Sequence, residues 1–139
     1  MKQLNGILVV LFGALLIGCN SNPTNEGNIS SDIIGNWQWK STTGGIGGTT
    51  TTPTGDNVYV LRITSDSNYI ELRNDTTTFT DKFTTYQFNI SDSSQSHLVI
   101  DFINSRRFSL LVIKVTTDSL ILSDMITDGF TSVYTRMNY

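Results

Sequence analysis

The chain contains very few of the residues from which disulfides, metal sites and catalytic dyads are made. Its 139 residues include one cysteine, one histidine and two prolines. A single cysteine cannot form a disulfide within the chain, so the fold must be held by packing and hydrogen bonds alone. Nine basic residues against twelve acidic ones leave no basic stripe that could neutralise phosphates, which excludes nucleic acid as a partner.

Alanine is absent after position 18, and glutamate and lysine are also scarce there. Threonine, valine, isoleucine, phenylalanine and tyrosine are abundant instead. These β-branched and aromatic side chains suit a pleated, half-buried surface, and no run beyond position 19 has a persuasive helical period. The composition therefore predicts an all-β domain.

The N-terminal residues have the organisation of an export signal. Lys2 supplies a positive charge, and residues 7–17 form an apolar run. Such a run matches the apolar region of a secretory signal peptide and is shorter than the about 20 residues that a membrane-spanning helix needs. Residues 1–18 are therefore predicted to be a cleaved signal peptide.

The segment Leu16-Ile17-Gly18-Cys19 resembles the lipobox that the lipoprotein signal peptidase recognises. A thiol is required to form the thioether with diacylglycerol, and a small residue before it lets the peptidase reach the peptide bond. The resemblance implies a membrane anchor of acyl chains such as palmitate on Cys19, and more than one chain makes such an anchor stable. Asn20, where aspartate commonly marks inner-membrane retention, favours the outer membrane and leaves the side it faces open. The alternative is an ordinary signal peptide followed by an isolated cysteine.

The rest of the chain divides into a tether and one domain. Residues 19–32 are polar and are predicted to be a flexible, lipid-anchored tether, and residues 33–139 form one domain. Strands are predicted at 34–41, 58–64, 69–73, around Phe79, and at 86–90, 98–102, 107–116, 120–123 and 130–137. Short turns between strands favour a small up-and-down antiparallel β-barrel of about eight strands. Residues 42–57, rich in glycine and threonine, are predicted to be a long functional or mobile loop.

Several segments of this domain resemble lipocalins. Gly35-Asn36-Trp37 resembles the glycine-any-tryptophan motif that opens the first lipocalin strand, and Arg136 resembles the arginine that packs over that tryptophan. Residues 44–48, 120–124 and 128–130 resemble the lipocalin-like domains of bacterial envelope lipoproteins. The resemblance implies an eight-stranded barrel closed by Gly35, Trp37 and Arg136. It does not by itself transfer a ligand, because function depends on the site.

Aromatic residues are the candidates for a ligand site inside such a barrel. Trp39, Tyr59, Tyr86 and Phe88 are predicted to line a pocket for a small apolar molecule. The alternative is that Trp37 and Trp39 are both core residues. An eight-stranded barrel is wide enough either to be filled by side chains or to hold one small ligand, so both interpretations remain open at this point.

No catalytic or metal-binding set can be assembled from the sequence. His97 has no evident partner and is predicted at an exposed strand end, and no serine lies in a Gly-x-Ser-x-Gly setting. Asp124 and Asp128 could face each other across a turn, but no calcium-loop series of ligands surrounds them. Arg106-Arg107 is predicted to be a solvated hairpin corner rather than an anion site. The chain is therefore predicted not to be an enzyme and to carry no metal or cofactor.

Two functions remain. The first is a lipid-anchored barrel that binds a small apolar ligand in the cell envelope. The second is a protein-interaction or structural lipoprotein with a filled barrel and no small-molecule ligand, which would contact an envelope protein through residues 42–57.

Overall fold

We describe the protein from a computed structural model, which covers residues 31–89 and 96–138. The predicted signal peptide, the lipidation site Cys19 and most of the tether fall in residues 1–30, outside the described residues. The only helix in the described part of the chain is a short 3-10 turn, Ser31–Ile33. No helix in residues 31–89 and 96–138 has the length and hydropathy of a membrane span.

The strands form one antiparallel sheet that closes on itself. They are β1 (Gly35–Gly44), β2 (Thr49–Thr51), β3 (Tyr59–Ile63), β4 (Asn68–Arg73), β5 (Thr76–Asn89), β6 (Ser96–Phe102), β7 (Leu110–Val115), β8 (Ser119–Asp124) and β9 (Phe130–Arg136). β2 pairs with β1. The other eight strands are neighbours in the order of the sequence, and the first of them, β1, also pairs with the last, β9, which closes the barrel. The predicted fold class, an all-β up-and-down barrel of about eight strands, is confirmed.

The seam between the first and last strands runs along most of β1. Trp37 lies opposite Arg136 at one end of the seam, and Gly44 lies opposite Phe130 at the other. β1 pairs with β3 only over its first residues and has a bulge between Trp39 and Ser41. A bulge bends a strand and increases its twist, which suits a strand that joins both sides of a closed barrel.

Two segments differ from the prediction. The threonine-rich stretch around Phe79 was predicted to lead to alternating residues at 86–90, and both belong to one strand, because β5 runs unbroken over 14 residues. Its first half pairs with β4 and its second half with β6, because strands tilted around a barrel meet their two neighbours at different heights. Residues 42–57 are not one long loop either, since residues 42–44 still belong to β1 and β2 returns beside them. Gly45 and Gly48, with φ of 72° and 59°, make that tight turn without a Cβ clash.

The two ends of the barrel differ in how they are filled. The end at the start of β1, here called the base, is packed with inward side chains of the core cluster, which includes Ile33, Trp37, Leu61, Ile63, Phe83, Ile100, Leu120 and Leu122. The indole N–H of Trp37 donates a hydrogen bond of 2.8 Å to the carbonyl of Ile33. The opposite end, here called the open end, is formed by turns 45–48 and 74–75, loop 103–109 and turn 125–129.

Candidate ligand-binding site

A cavity of about 590 Å³, here called the first chamber, lies at the open end on the side of β1, β3 and β4. Its walls combine aromatic, hydroxyl and charged side chains, among them Trp39, Thr42, Tyr59, Leu61, Glu71, Arg73, Thr78, Ser132 and Tyr134. Residues 51, 52 and 54, at and after β2, also line it. The chamber has the size of ordinary small-molecule sites, which occupy roughly 300–1,000 Å³.

Trp39 and Tyr59 form the aromatic wall of the first chamber. Their ring centroids are 5.3 Å apart and their planes meet at 82°, the edge-to-face arrangement that aromatic quadrupoles favour. The indole N–H of Trp39 donates to the hydroxyl of Thr42 at 2.8 Å, and that hydroxyl lies 2.8 Å from the hydroxyl of Ser132 on β9. This chain of hydrogen bonds holds the indole in place across the β1–β9 seam.

Arg73 packs against Tyr59 in the same wall and also lines the chamber. Its guanidinium lies 5.6 Å from the centre of the Tyr59 ring, within the range of a cation–π contact. The side-chain carbonyl of Asn57 accepts two hydrogen bonds from Arg73, at 3.1 and 3.0 Å. The loop after β2 thereby fixes a cationic group at the mouth of the first chamber.

A second chamber of about 430 Å³ lies at the open end on the side of β6 to β9. Its lining combines the charged side chains of Arg106, Arg107 and Asp124 with the apolar side chains of Phe102, Phe108, Leu110, Leu122 and Phe130. Tyr69, Phe79 and Phe102 pack edge to face beside it, with centroid distances between 4.9 and 6.2 Å. The guanidinium of Arg107 lies 3.5 Å from the centre of the Phe79 ring.

Glu71, Ser132 and Tyr134 line both chambers, and together they are called the partition here. The carboxylate of Glu71 pairs with the guanidinium of Arg107 through both of its oxygens. The two side chains are 33% and 42% exposed, and solvent-exposed pairs of this kind contribute about 0–1 kcal/mol. The pair therefore positions Arg107 over Phe79 more than it stabilises the fold.

Two phenols, that of Tyr134 in the partition and that of Tyr69 next to it, are neutral groups. Burial raises the pKa of Tyr69 well above its usual value, and the neighbouring Tyr134 and Glu71 add to the increase. Burial also raises the pKa of Tyr134 to about 12, against the opposing effect of its hydrogen bond with Ser132. Both hydroxyls therefore keep their protons at physiological pH and remain able to donate and accept hydrogen bonds.

Asp81 fixes the loop that carries Arg107. Its carboxylate accepts hydrogen bonds from the backbone N–H groups of Asn104 and Ser105, at 3.2 and 2.8 Å, and from the side-chain amide of Asn104 at 2.9 Å. Hydrogen bonding by Ser105, with further bonds from Asn104, outweighs the effect of burial and lowers the pKa of Asp81 to about 2. The start of loop 103–109 is thus attached to β5 through Asp81.

The four predicted ligand-lining residues do not share one pocket. Trp39 and Tyr59 line the first chamber. Tyr86 and Phe88 lie in the second half of β5 and are 44% and 39% exposed. The buried residues of that strand are Asp81, Phe83 and Thr85, so the even-numbered aromatic side chains face the outside of the barrel.

The structure places the three residues of the predicted barrel-closing motif together. The guanidinium of Arg136 lies 4.0 Å from the centre of the Trp37 ring. A Cβ built on Gly35 would lie 2.5 Å from an Arg136 nitrogen, so the glycine leaves room for the arginine. Trp37 is fully buried.

The remaining chemical candidates are scattered. His97 lies near the start of β6 opposite Phe88, and Asp124 accepts a hydrogen bond from the backbone of Phe130. In residues 31–89 and 96–138, no group of three histidine, cysteine, aspartate or glutamate side chains could hold a metal ion. Arg107 remains partly solvated, as expected, but it also makes the ion pair and ring contact described above. Leu16, Ile17, Gly18 and Cys19 lie outside the described residues.

The predictions from the sequence did not identify the partition or its partner Arg107. Glu71 and Arg107 are 36 positions apart, and no local motif joins them. Period-two alternation of β4, with Tyr69 on the inner face, was the one signal that pointed to an inward Glu71.

Comparisons with known proteins give this chain no relative. No protein-family model matches it, and no curated protein or solved structure resembles it significantly.

Proposed function

We propose that this chain is a lipid-anchored protein of the cell envelope, in the outer membrane, whose barrel binds a small molecule without catalysing a reaction. The observation that carries the binding role is the first chamber, which lies at one end of the barrel and has Trp39 and Tyr59 as its aromatic wall. Ligand sites are typically concave, with aromatic walls and a few convergent polar groups. The anchor rests on the resemblance of Leu16-Ile17-Gly18-Cys19 to a lipobox.

The binding role can be tested by native mass spectrometry. Residues 20–139, which contain every contact described above, are exported as a soluble protein and purified without detergent. We expect a discrete added mass that is released on denaturation, either directly or after incubation with an extract of envelope small molecules. Trp39→Ala removes part of the chamber wall and should lose the added mass, whereas Tyr86→Ala on the outer face should keep it. A bare protein mass under both conditions would contradict the proposal.

The anchor needs a separate test. Cells expressing the full chain are grown with labelled palmitate, and the protein is expected to carry the label and to sediment with membranes. Cys19→Ala removes the thiol that forms the thioether, so the label should be lost and the protein should remain at the length of its precursor. Label retained by Cys19→Ala would exclude acylation at this residue.

A second candidate function, contact with an envelope protein, is favoured by the apolar side chains at the open end. Ile46, at the tip of the β1–β2 turn, is 97% exposed, and Ile103 and Phe108 in loop 103–109 are each 57% exposed. Contiguous exposed apolar groups often mark interaction surfaces, and this function requires that these three side chains contribute to one such surface. Ile46→Ser combined with Phe108→Ser should abolish co-purification of a partner, while Ile113→Ser on β7 should not. Co-purification that survives the double substitution would argue against this role.

A further inference from the structure

The depth of the first chamber limits what it can hold. Leu61 lines the chamber and is 1% exposed. Beyond it, Trp37, Ile63 and Phe83 fill the base, and each of them is at most 1% exposed. A long acyl chain would have to extend along the barrel axis through these side chains. Displacing them would break a close-packed core, so the chamber suits a compact ligand.

The walls of the first chamber are rich in hydroxyl groups. Thr42, Thr78 and Ser132 line it together with residues 51, 52 and 54, all threonines, and Tyr134 adds a protonated phenol. A hydroxyl donates one hydrogen bond and accepts two. A wall of this composition is best matched by a ligand that also carries several groups able to donate and to accept, because buried polar groups are costly when they lack partners.

One wall offers an apolar surface of a different kind. The edge-to-face pair of Trp39 and Tyr59 provides aromatic rings, and the bond from Trp39 to Thr42 satisfies the only polar group of the indole. An aromatic ring supplies a large contact area at low cost in conformational entropy. The complementary ligand therefore has a flat apolar face as well as hydroxyl groups at its edge.

Charge in the first chamber is balanced. Glu71 and Arg73 are its only charged lining residues. Both oxygens of Glu71 already accept hydrogen bonds from Arg107, whereas Arg73, which donates two hydrogen bonds to Asn57, keeps further N–H groups that can donate to a ligand hydroxyl. One carboxylate and one guanidinium favour a neutral ligand over a multiply charged one. We infer that the first chamber binds a neutral saccharide, a mono- or disaccharide unit of an envelope glycan. This inference rests on the proposed function that the chamber binds a small molecule.

The test compares saccharides with lipids on the same protein. Residues 20–139 are incubated separately with neutral saccharides released by mild acid from envelope glycans and with an organic-solvent lipid extract, and bound masses are read by native mass spectrometry. We expect a carbohydrate mass from the first incubation and a saturable titration with the purified saccharide. Trp39→Ala should weaken its affinity at least about tenfold, roughly 1.4 kcal/mol, and Tyr86→Ala should leave it unchanged.

The outcomes separate the inference from the function on which it rests. A mass that comes only from the lipid extract overturns the saccharide and leaves the binding role standing. No bound mass from either fraction overturns both. Thr42→Val is a second variant that tests the inference even if Trp39→Ala does not fold, because it removes one hydroxyl from the chamber wall. Circular dichroism shows whether each variant retains the barrel, and a folded Thr42→Val protein with unchanged saccharide affinity also counts against the inference.

Discussion

The guanidinium of Arg136, at the end of the last strand, lies 4.0 Å from the ring centre of Trp37, near the start of the first. It also donates hydrogen bonds to the carbonyl oxygens of Asp32, Ile34 and Thr117, at 2.8, 2.9 and 2.6 Å. One side chain thus joins the N-terminal turn, the β1–β9 seam and the β7–β8 turn. The base of the barrel depends on this residue because three otherwise separate segments meet there.

Arg136→Ala should lower the free energy of unfolding by about 2–4 kcal/mol, because it removes the ring contact and leaves three carbonyls without their donor. Arg136→Lys should recover only part of this, since an ammonium cannot reproduce the planar set of donors. Urea unfolding followed by tryptophan fluorescence measures the difference. Arg62→Ala is the matched control, because Arg62 donates to a single exposed side chain, that of Asn36. Equal losses for Arg136→Ala and Arg62→Ala would refute the role of Arg136.

Gly44→Ala should destabilise the β1–β9 seam at its open end by about 1–3 kcal/mol, the usual cost of overpacking. A Cβ at this position would lie 2.7 Å from the Cα of Phe130 and would also collide with the carbonyl oxygen of Gly129. Gly47→Ala, three residues away, meets nothing closer than 3.6 Å and should be nearly neutral. Thermal unfolding of both variants tests this steric explanation. If the turn simply needed glycine, the two variants would lose the same stability.

Asp81 should make the stability of the barrel depend on acid pH. Its pKa in the folded protein, about 2, is below the ordinary value of 3.8, so its stabilising effect is complete above about pH 4 and disappears as the pH falls towards 2. Asp81→Asn should therefore be less stable than the wild type at neutral pH, with a difference that shrinks between pH 4 and 2. The midpoints of urea unfolding across this pH range measure the difference in stability. Asp118→Asn, in an exposed turn, is the control. A difference that does not change with pH would contradict the assignment.

The Glu71–Arg107 pair should contribute little to stability. A double-mutant cycle with Glu71→Gln and Arg107→Gln is expected to give a coupling energy of about 0.5–1 kcal/mol, because both side chains are partly solvated. The coupling should decrease in 1 M salt, where the Debye length is about 3 Å. A coupling that is larger and insensitive to salt would mean that the pair is effectively buried.

The two halves of β5 show where sequence reasoning succeeded and where it failed. Alternation predicted strands in this region, and the structure has one. In its second half the aromatic residues Tyr86 and Phe88 occupy the outer face and Thr85 the inner one. Hydrophobicity alone assigns the faces the other way round. The inward position of Phe83, which is buried in the core, determines which of the later side chains face inward, because the alternation of a continuous strand cannot change without a bulge.

The sequence by itself determined the all-β class, the turns at 65–68, at Asp118 and at 128–129, the absence of an internal disulfide and the candidate residues of the base. Each of these depends on composition or on a period of two residues, and both are local properties. The tertiary structure alone decided which aromatic side chains face inward, that residues 42–44 extend β1, and that Glu71 and Arg107 meet between two chambers. These are consequences of strand pairing and barrel closure, which bring together residues whose contact no short stretch of the chain encodes.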